Sequence, residues 1–195
     1  MVPKPAVMEV LFFPNQSNEI KLANMIRTCN LCGARKFIMF GRCKFDKRAS
    51  VGAEHYTKIE KKSATRNSDR VDFDNLTLDE LEYILDENIF IQYINDNHYL
   101  PIFIEQYKFS KPATNDLIIT ILKRAQTLNL FPLFILGNEK YGIPNNILKT
   151  RIEIGLTYTL ELKQMGCIRS YNVSNTCAIL SYKIMECFDI MNINT

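Results

Sequence analysis

A chain of 195 residues with 24 basic and 21 acidic side chains, net +3, is long enough for one domain with a real core, and its overall charge does not by itself name a polyanion as partner. Six cysteines with no secretory leader, and no apolar run of 18 residues, speak against a disulfide-stapled secreted protein and against a membrane span. A single domain over residues 1–195 of an intracellular, cytoplasmic protein is the expectation.

In chain order, Met8–Phe13 reads as a short apolar strand and 14–18 as a loop. Ile20–Cys32 reads as a helix, because Leu22, Met25, Ile26, Cys29 and Cys32 recur three and four apart; Arg27 lies off that stripe, and Gly33 stops the helix. Cys29 and Cys32 form a CxxC with no second pair, so core thiols are expected rather than a metal or redox site. Lys36–Phe40 is a second strand. Residues 41–70 then hold nine Lys or Arg against four acids, and 71–100 hold eight acids and no Lys or Arg. This asymmetry admits two readings, one face made for a polyanion or two solvated segments. Arg42, Lys44, Lys47, Arg48, Lys58, Lys61 and Lys62 are the candidate phosphate contacts, and 61–75 is expected to be a mobile basic-to-acidic loop.

Thr77-Leu78-Asp79-Glu80 is a capping box that opens an acidic amphipathic helix running to Ile94. Tyr99–Glu105 is a third strand, and Pro101 in it suits an edge or a strand entry. A helix over Asn115–Leu128, a strand over Leu133–Leu136, a short helix over Asn145–Thr150 and a strand over Tyr158–Leu162 follow. The last element is a long helix, Ser170–Met191, whose seam of Cys177, Leu180, Ile184, Cys187 and Met191 fits a subunit interface or a core equally well. Strand and helix alternate, which predicts an α/β protein with a mostly parallel sheet and helices on both faces.

The functional signal lies where the apolar run 131–136 turns abruptly into Gly137-Asn138-Glu139-Lys140-Tyr141-Gly142-Ile143-Pro144. Ligands in parallel sheets gather at the carboxyl ends of strands, and glycine lets backbone come close to them. Glu139 would be a carboxylate at the mouth of such a site. The two histidines, His55 and His98, stand in unrelated settings, and no nucleotide-binding or hydrolase motif occurs.

Gly137-Asn138-Glu139 with Gly142-Ile143-Pro144, then Ser170-Tyr171-Asn172-Val173-Ser174, resemble the second and third motifs of the SpoU (TrmH-like) branch of SPOUT RNA ribose 2′-O-methyltransferases. Asn24–Cys29 running to Gly33 resembles the first. The resemblance spans Met8–Met191 and is nearest to the methyltransferase domain of large eukaryotic tRNA ribose methylases. It implies a deep C-terminal trefoil knot, a homodimer, and S-adenosylmethionine held around Glu105, Gly137, Leu162, Ser170 and Tyr171. It also implies methyl transfer to a ribose hydroxyl of RNA, tRNA ahead of rRNA, with Arg27, Glu139, Ser170 and Asn172 as catalytic residues. The chain departs from the family at Lys21 (usually Asn), Ala23 (usually Gly), Lys163 (usually Pro) and Tyr171 (usually Leu). A catalytically weak RNA-binding module of the same fold is therefore the alternative.

Overall fold

The computed structural model describes residues 8–13, 19–40, 44–62, 86–138 and 140–193. Arg42, Glu139, the capping box at Thr77 and most of the 61–75 segment lie outside them. The strands are β1 (Met8–Phe12), β2 (Ala34–Phe40), β3 (Lys58–Lys62), β4 (Tyr99–Ile104), β5 (Lys111–Pro112), β6 (Phe131–Leu136) and β7 (Tyr158–Glu161). The helices are α1 (Glu19–Leu31), α2 (Lys47–Ser50), α3 (Glu87–Asp96), α4 (Asn115–Thr127), α5 (Asn145–Lys149), α6 (Arg151–Ile154) and α7 (Val173–Ile193).

The seven strands form one sheet in the order β3-β2-β1-β6-β4-β7-β5, and every pairing is parallel. Side chains alternate between faces with the strand period of two. Val10 and Phe12 of β1, Ile102 and Ile104 of β4, and Phe134 and Leu136 of β6 join the core under α1, α4 and α7. Leu11, Phe103, Leu133 and Ile135 join the opposite core under α3 and α5. Both faces are thus covered, which is why the central strands β4 and β6 read as continuous apolar runs. The second core is aromatic: Phe90 of α3 lies 5.8 Å from Phe40, 6.1 Å from Phe13 and 6.3 Å from Phe103, ring centre to ring centre.

Three expectations need correction, and a fourth that left two readings open is decided. Pro101 lies in an interior strand, between β6 and β7. It is tolerated because β7 begins to pair only at Ile102, so one flank of Pro101 has no ladder partner there. Lys61 and Lys62 belong to β3 rather than to a loop, extending the parallel ladder opposite Met39 and Phe40. The seam on the last helix is core: Cys177, Leu180, Ile184 and Cys187 are all at most 2% exposed and pack with α1 and α4. That helix starts at Val173, three residues later than expected, because Asn172 caps it. The CxxC thiols are core thiols, both buried.

The amino ends of the strands carry a buried polar cluster. Glu9 is fully buried; its Oε1 accepts from Arg35 Nε at 2.6 Å, and its Oε2 accepts from the Tyr99 hydroxyl. Lys36 Nζ donates to Tyr99 Oη at 3.0 Å and pairs with Glu60 at 3.1 Å. Burial opposes the charge on Lys36, but Glu9 and Glu60 outweigh it and hold the ammonium above its ordinary range. The cluster pins β1, β2, β3 and β4 together at the end away from the glycine turn.

Candidate active site

At the carboxyl ends of β4, β6 and β7 the chain encloses a cavity of about 370 Å³, within the range of small-ligand sites. Its walls come from three chain segments. The first is the turn after β6, Gly137–Gly142. Asn138 and Gly142 exchange backbone hydrogen bonds of 2.8 Å in both directions, and Asn138 Oδ1 accepts from Lys140 N at 2.6 Å and Tyr141 N at 3.3 Å. This closes the turn on itself. The carbon of a side chain at Gly137 would sit 2.7 Å from Gly142 Cα and collide with the backbone of Gly142 and Ile143. Gly142 has φ +72°, the left-handed region that glycine adopts without strain. These two positions need glycine for the fold of the turn itself.

The second wall is the end of β4. Glu105 N–H donates to Leu160 O of β7 at 3.0 Å. Its carboxylate accepts from Ile143 N–H through Oε2 at 2.8 Å and from Gln106 N–H through Oε1 at 3.0 Å. The third wall follows β7: Glu161, Leu162 and Gln164, then Arg169, Ser170 and Tyr171 on the approach to α7. Tyr171 Oη donates to Lys163 O at 3.5 Å, which folds this connection back on itself.

The structure therefore brings Glu105, Gly137, Leu162, Ser170 and Tyr171 to one cavity. Asn172 does not line it; its Oδ1 accepts from Ser174 N at 2.9 Å and Ser174 Oγ at 2.6 Å, as an N-cap does. Arg27 is exposed on α1 and is not among the lining residues. Lys44, Lys47, Arg48, Lys58, Lys61 and Lys62 gather on α2, the residues before it, and β3. β3 is three strands from β6, roughly 14 Å across the sheet. Sequence reasoning missed Lys140, Glu161, Gln164, Arg169 and Thr176 as lining residues. Glu161 could have been found as the last residue of a strand ending beside the glycine turn; Lys140, Gln164 and Arg169 depend on how the loops fold, and Thr176 on how α7 docks. Among the described residues no group of His, Cys, Asp and Glu could hold a metal ion, and no helix is long and apolar enough to cross a membrane.

No family model matches the sequence, and no curated protein matches it. Solved structures do. One is the A. aeolicus TrmH/SpoU tRNA modifying enzyme, at 15% identity and TM-score 0.66, covering 94% of this chain and 77% of that one. Another is the SpoU methyltransferase AviRb from Streptomyces viridochromogenes in complex with the cofactor AdoMet, at 16% identity and TM-score 0.62, covering 100% of this chain and 64% of that one. A third is an RNA 2′-O ribose methyltransferase, at 15% identity and TM-score 0.62, covering 96% of this chain and 59% of that one. The seven-stranded parallel α/β architecture of this chain is thus the fold shared by SpoU-type RNA methyltransferases.

Proposed function

We propose that this protein is an S-adenosylmethionine-dependent RNA methyltransferase that modifies a ribose 2′-hydroxyl, tRNA being the first acceptor to test. The observation that carries the reading is the cavity itself: a glycine turn that admits no Cβ, at the carboxyl ends of three parallel strands, lined by residues from the second and third motifs of the SpoU branch. A fold shared with a SpoU methyltransferase solved with AdoMet supports the choice of donor. When bound, the donor supplies an electrophilic methyl group on a sulfonium.

Gly137, Leu162, Ser170 and Tyr171 would hold that donor. Arg27 would stabilise the developing alkoxide of the ribose or place a phosphate through its guanidinium. Its position outside its own chain's cavity supports an arrangement in which a second copy brings it to the site. A homodimer is therefore part of the proposal. Ile179, Tyr182 and Ile190, each at least 40% exposed on α7, offer an apolar contact for it, distinct from the buried seam. The knot belongs to the same reading. After β7 the chain returns as α7 to pack against α1 and α4, a course compatible with threading through the preceding loop.

Single-turnover transfer of labelled methyl groups into RNA, followed by mapping of ribose methylation, tests the function. Label in a ribose 2′-O-methyl supports it. Donor binding without transfer would favour the RNA-binding module in which Lys21 and Ala23 mark a lapsed catalyst. No donor binding would refute the methyltransferase and leave the RNA-binding module, which RNA affinity then tests.

A further inference from the structure

We infer that Glu105 is a positioning residue, a latch that shapes the donor cavity through backbone rather than by touching the donor. The inference rests on the proposed function for the identity of the ligand, but its geometry stands apart from it. Both carboxylate oxygens of Glu105 are already engaged by main-chain donors, Ile143 N–H at 2.8 Å and Gln106 N–H at 3.0 Å. The first of these bonds fastens the glycine turn to the end of β4. The residue's own N–H continues the β4–β7 ladder through Leu160 O at 3.0 Å. One residue thus ties together the ends of all three strands that build the cavity.

The fit around the latch is tight. A Cβ at Gly142 would run into the Glu105 carboxylate, with Cδ at 3.1 Å, and a Cβ at Gly137 would run into Gly142 and Ile143. The carboxylate fills the space that glycine at 142 leaves open. A carboxylate accepts two main-chain donors without offering a competing proton, which no neutral side chain does equally well. The turn that the latch holds is the wall on which Gly137, Asn138, Lys140 and Tyr141 face the cavity.

A direct ligand and a latch differ in what they discriminate. A carboxylate beside the sulfonium would favour the cationic donor over S-adenosylhomocysteine, its neutral thioether product, whereas one on the shared ribose or amine would leave Ile143 exchange unchanged on its removal. A latch serves both alike. Calorimetric dissociation constants for both compounds, with amide hydrogen exchange at Ile143 and Gln106, separate the cases in wild type, Glu105→Ala and Glu105→Gln.

The latch requires Glu105→Ala to speed exchange at Ile143 and to weaken both compounds by one common factor, about ten- to a hundredfold, as losing a bond to a charged acceptor implies. Glu105→Gln keeps a carbonyl oxygen for Ile143 N–H, so exchange there stays slow and affinity falls only a fewfold. Should Glu105→Ala fail to fold, Glu105→Gln still decides through its donor-to-product ratio. An unchanged ratio supports the latch, and a selective loss of donor affinity overturns it. Wild-type affinities for both compounds in Glu105→Ala also overturn it. If wild type binds neither compound, the proposed function fails, while exchange at Ile143 in Glu105→Ala still tests the latch: unaltered exchange refutes it.

Discussion

Single residues in this protein carry constraints of different origin. Gly137 is held to glycine by backbone: even a methyl group meets Gly142 Cα at 2.7 Å. Gly137→Ala is therefore expected to disrupt the turn and abolish donor binding by calorimetry, with the buried cluster around Glu9 untouched. Arg27 is constrained differently, since an exposed guanidinium off the apolar stripe contributes little to packing. Arg27→Ala should retain the thermal transition and donor affinity, yet lower single-turnover transfer by about 10²–10³. Arg27→Lys should recover little of that, because an ammonium lacks the planar fork. The thiols divide by burial. Cys29 Sγ and Cys177 Sγ lie 3.5 Å apart in the core, and the hydrogen bond between them, together with burial, drives the Cys29 thiol well above its ordinary range. Cys167 is exposed. Mass spectrometry after brief alkylation of the native protein should find Cys167 labelled and Cys29 and Cys177 unlabelled.

At the scale of elements, β3 joins two roles. Its Glu60 sits between Lys36 and Lys62, at 3.1 and 3.0 Å, and despite the opposing effect of burial these two cations hold its carboxyl below the ordinary value of 4.5. A carboxyl depressed in the folded state stabilises above its unfolded pKa, and that stability is lost as pH falls through the folded value. Lys36 is raised above its ordinary 10.5, so its contribution is complete below that value and is lost as pH rises through the folded one. Denaturant midpoints should hold through neutral pH and drop below about pH 4.5, a drop that Glu60→Gln should reduce. Tyr99→Phe, which strips Glu9 and Lys36 of a shared partner, should cost about 1–3 kcal/mol in the same measurement.

The other role of β3 is as part of a basic surface. Lys58 and Lys61 are exposed, and Lys62 and Lys36 are engaged with Glu60. If this edge holds phosphates, Lys58→Glu with Lys61→Glu should flatten the log–log salt dependence of RNA affinity by roughly one per lost contact. Unchanged affinity would show that the segment is only a solvated face.

At the scale of the whole molecule, the proposed dimer must use a surface other than the heptad-like seam, because that seam is filled within the chain. Light scattering at micromolar concentration should give about twice 22.6 kDa. Tyr182→Glu combined with Ile179→Glu should return it to one chain mass and remove methyl transfer, while donor binding survives in part.

Local chemistry alone determined much of this protein. The periodicity of α1 and α4, the apolar runs of β1, β2, β4 and β6, and the glycine turn at 137–142 are written in short-range spacing, since side-chain period and φ preference are properties of neighbouring residues. Gly137 could be singled out by the same locality, at the end of an apolar run, whereas Leu162, Ser170 and Tyr171 could be named before any fold was known only through the resemblance to the SpoU motifs. Tertiary structure decided the rest. Pro101 suits an edge or a strand entry until the staggered start of β7 shows how an interior strand can hold it. The Cys177–Cys187 seam could face a partner or a core, because an apolar stripe carries no record of what covers it; α1 and α4 cover it. Glu105 stands at a strand end, where Gln106 N–H engages its Oε1 locally, and only the approach of Ile143, 38 residues away, ties its Oε2 to the glycine turn. Non-local contacts settled each of these, and spacing along the chain cannot encode them.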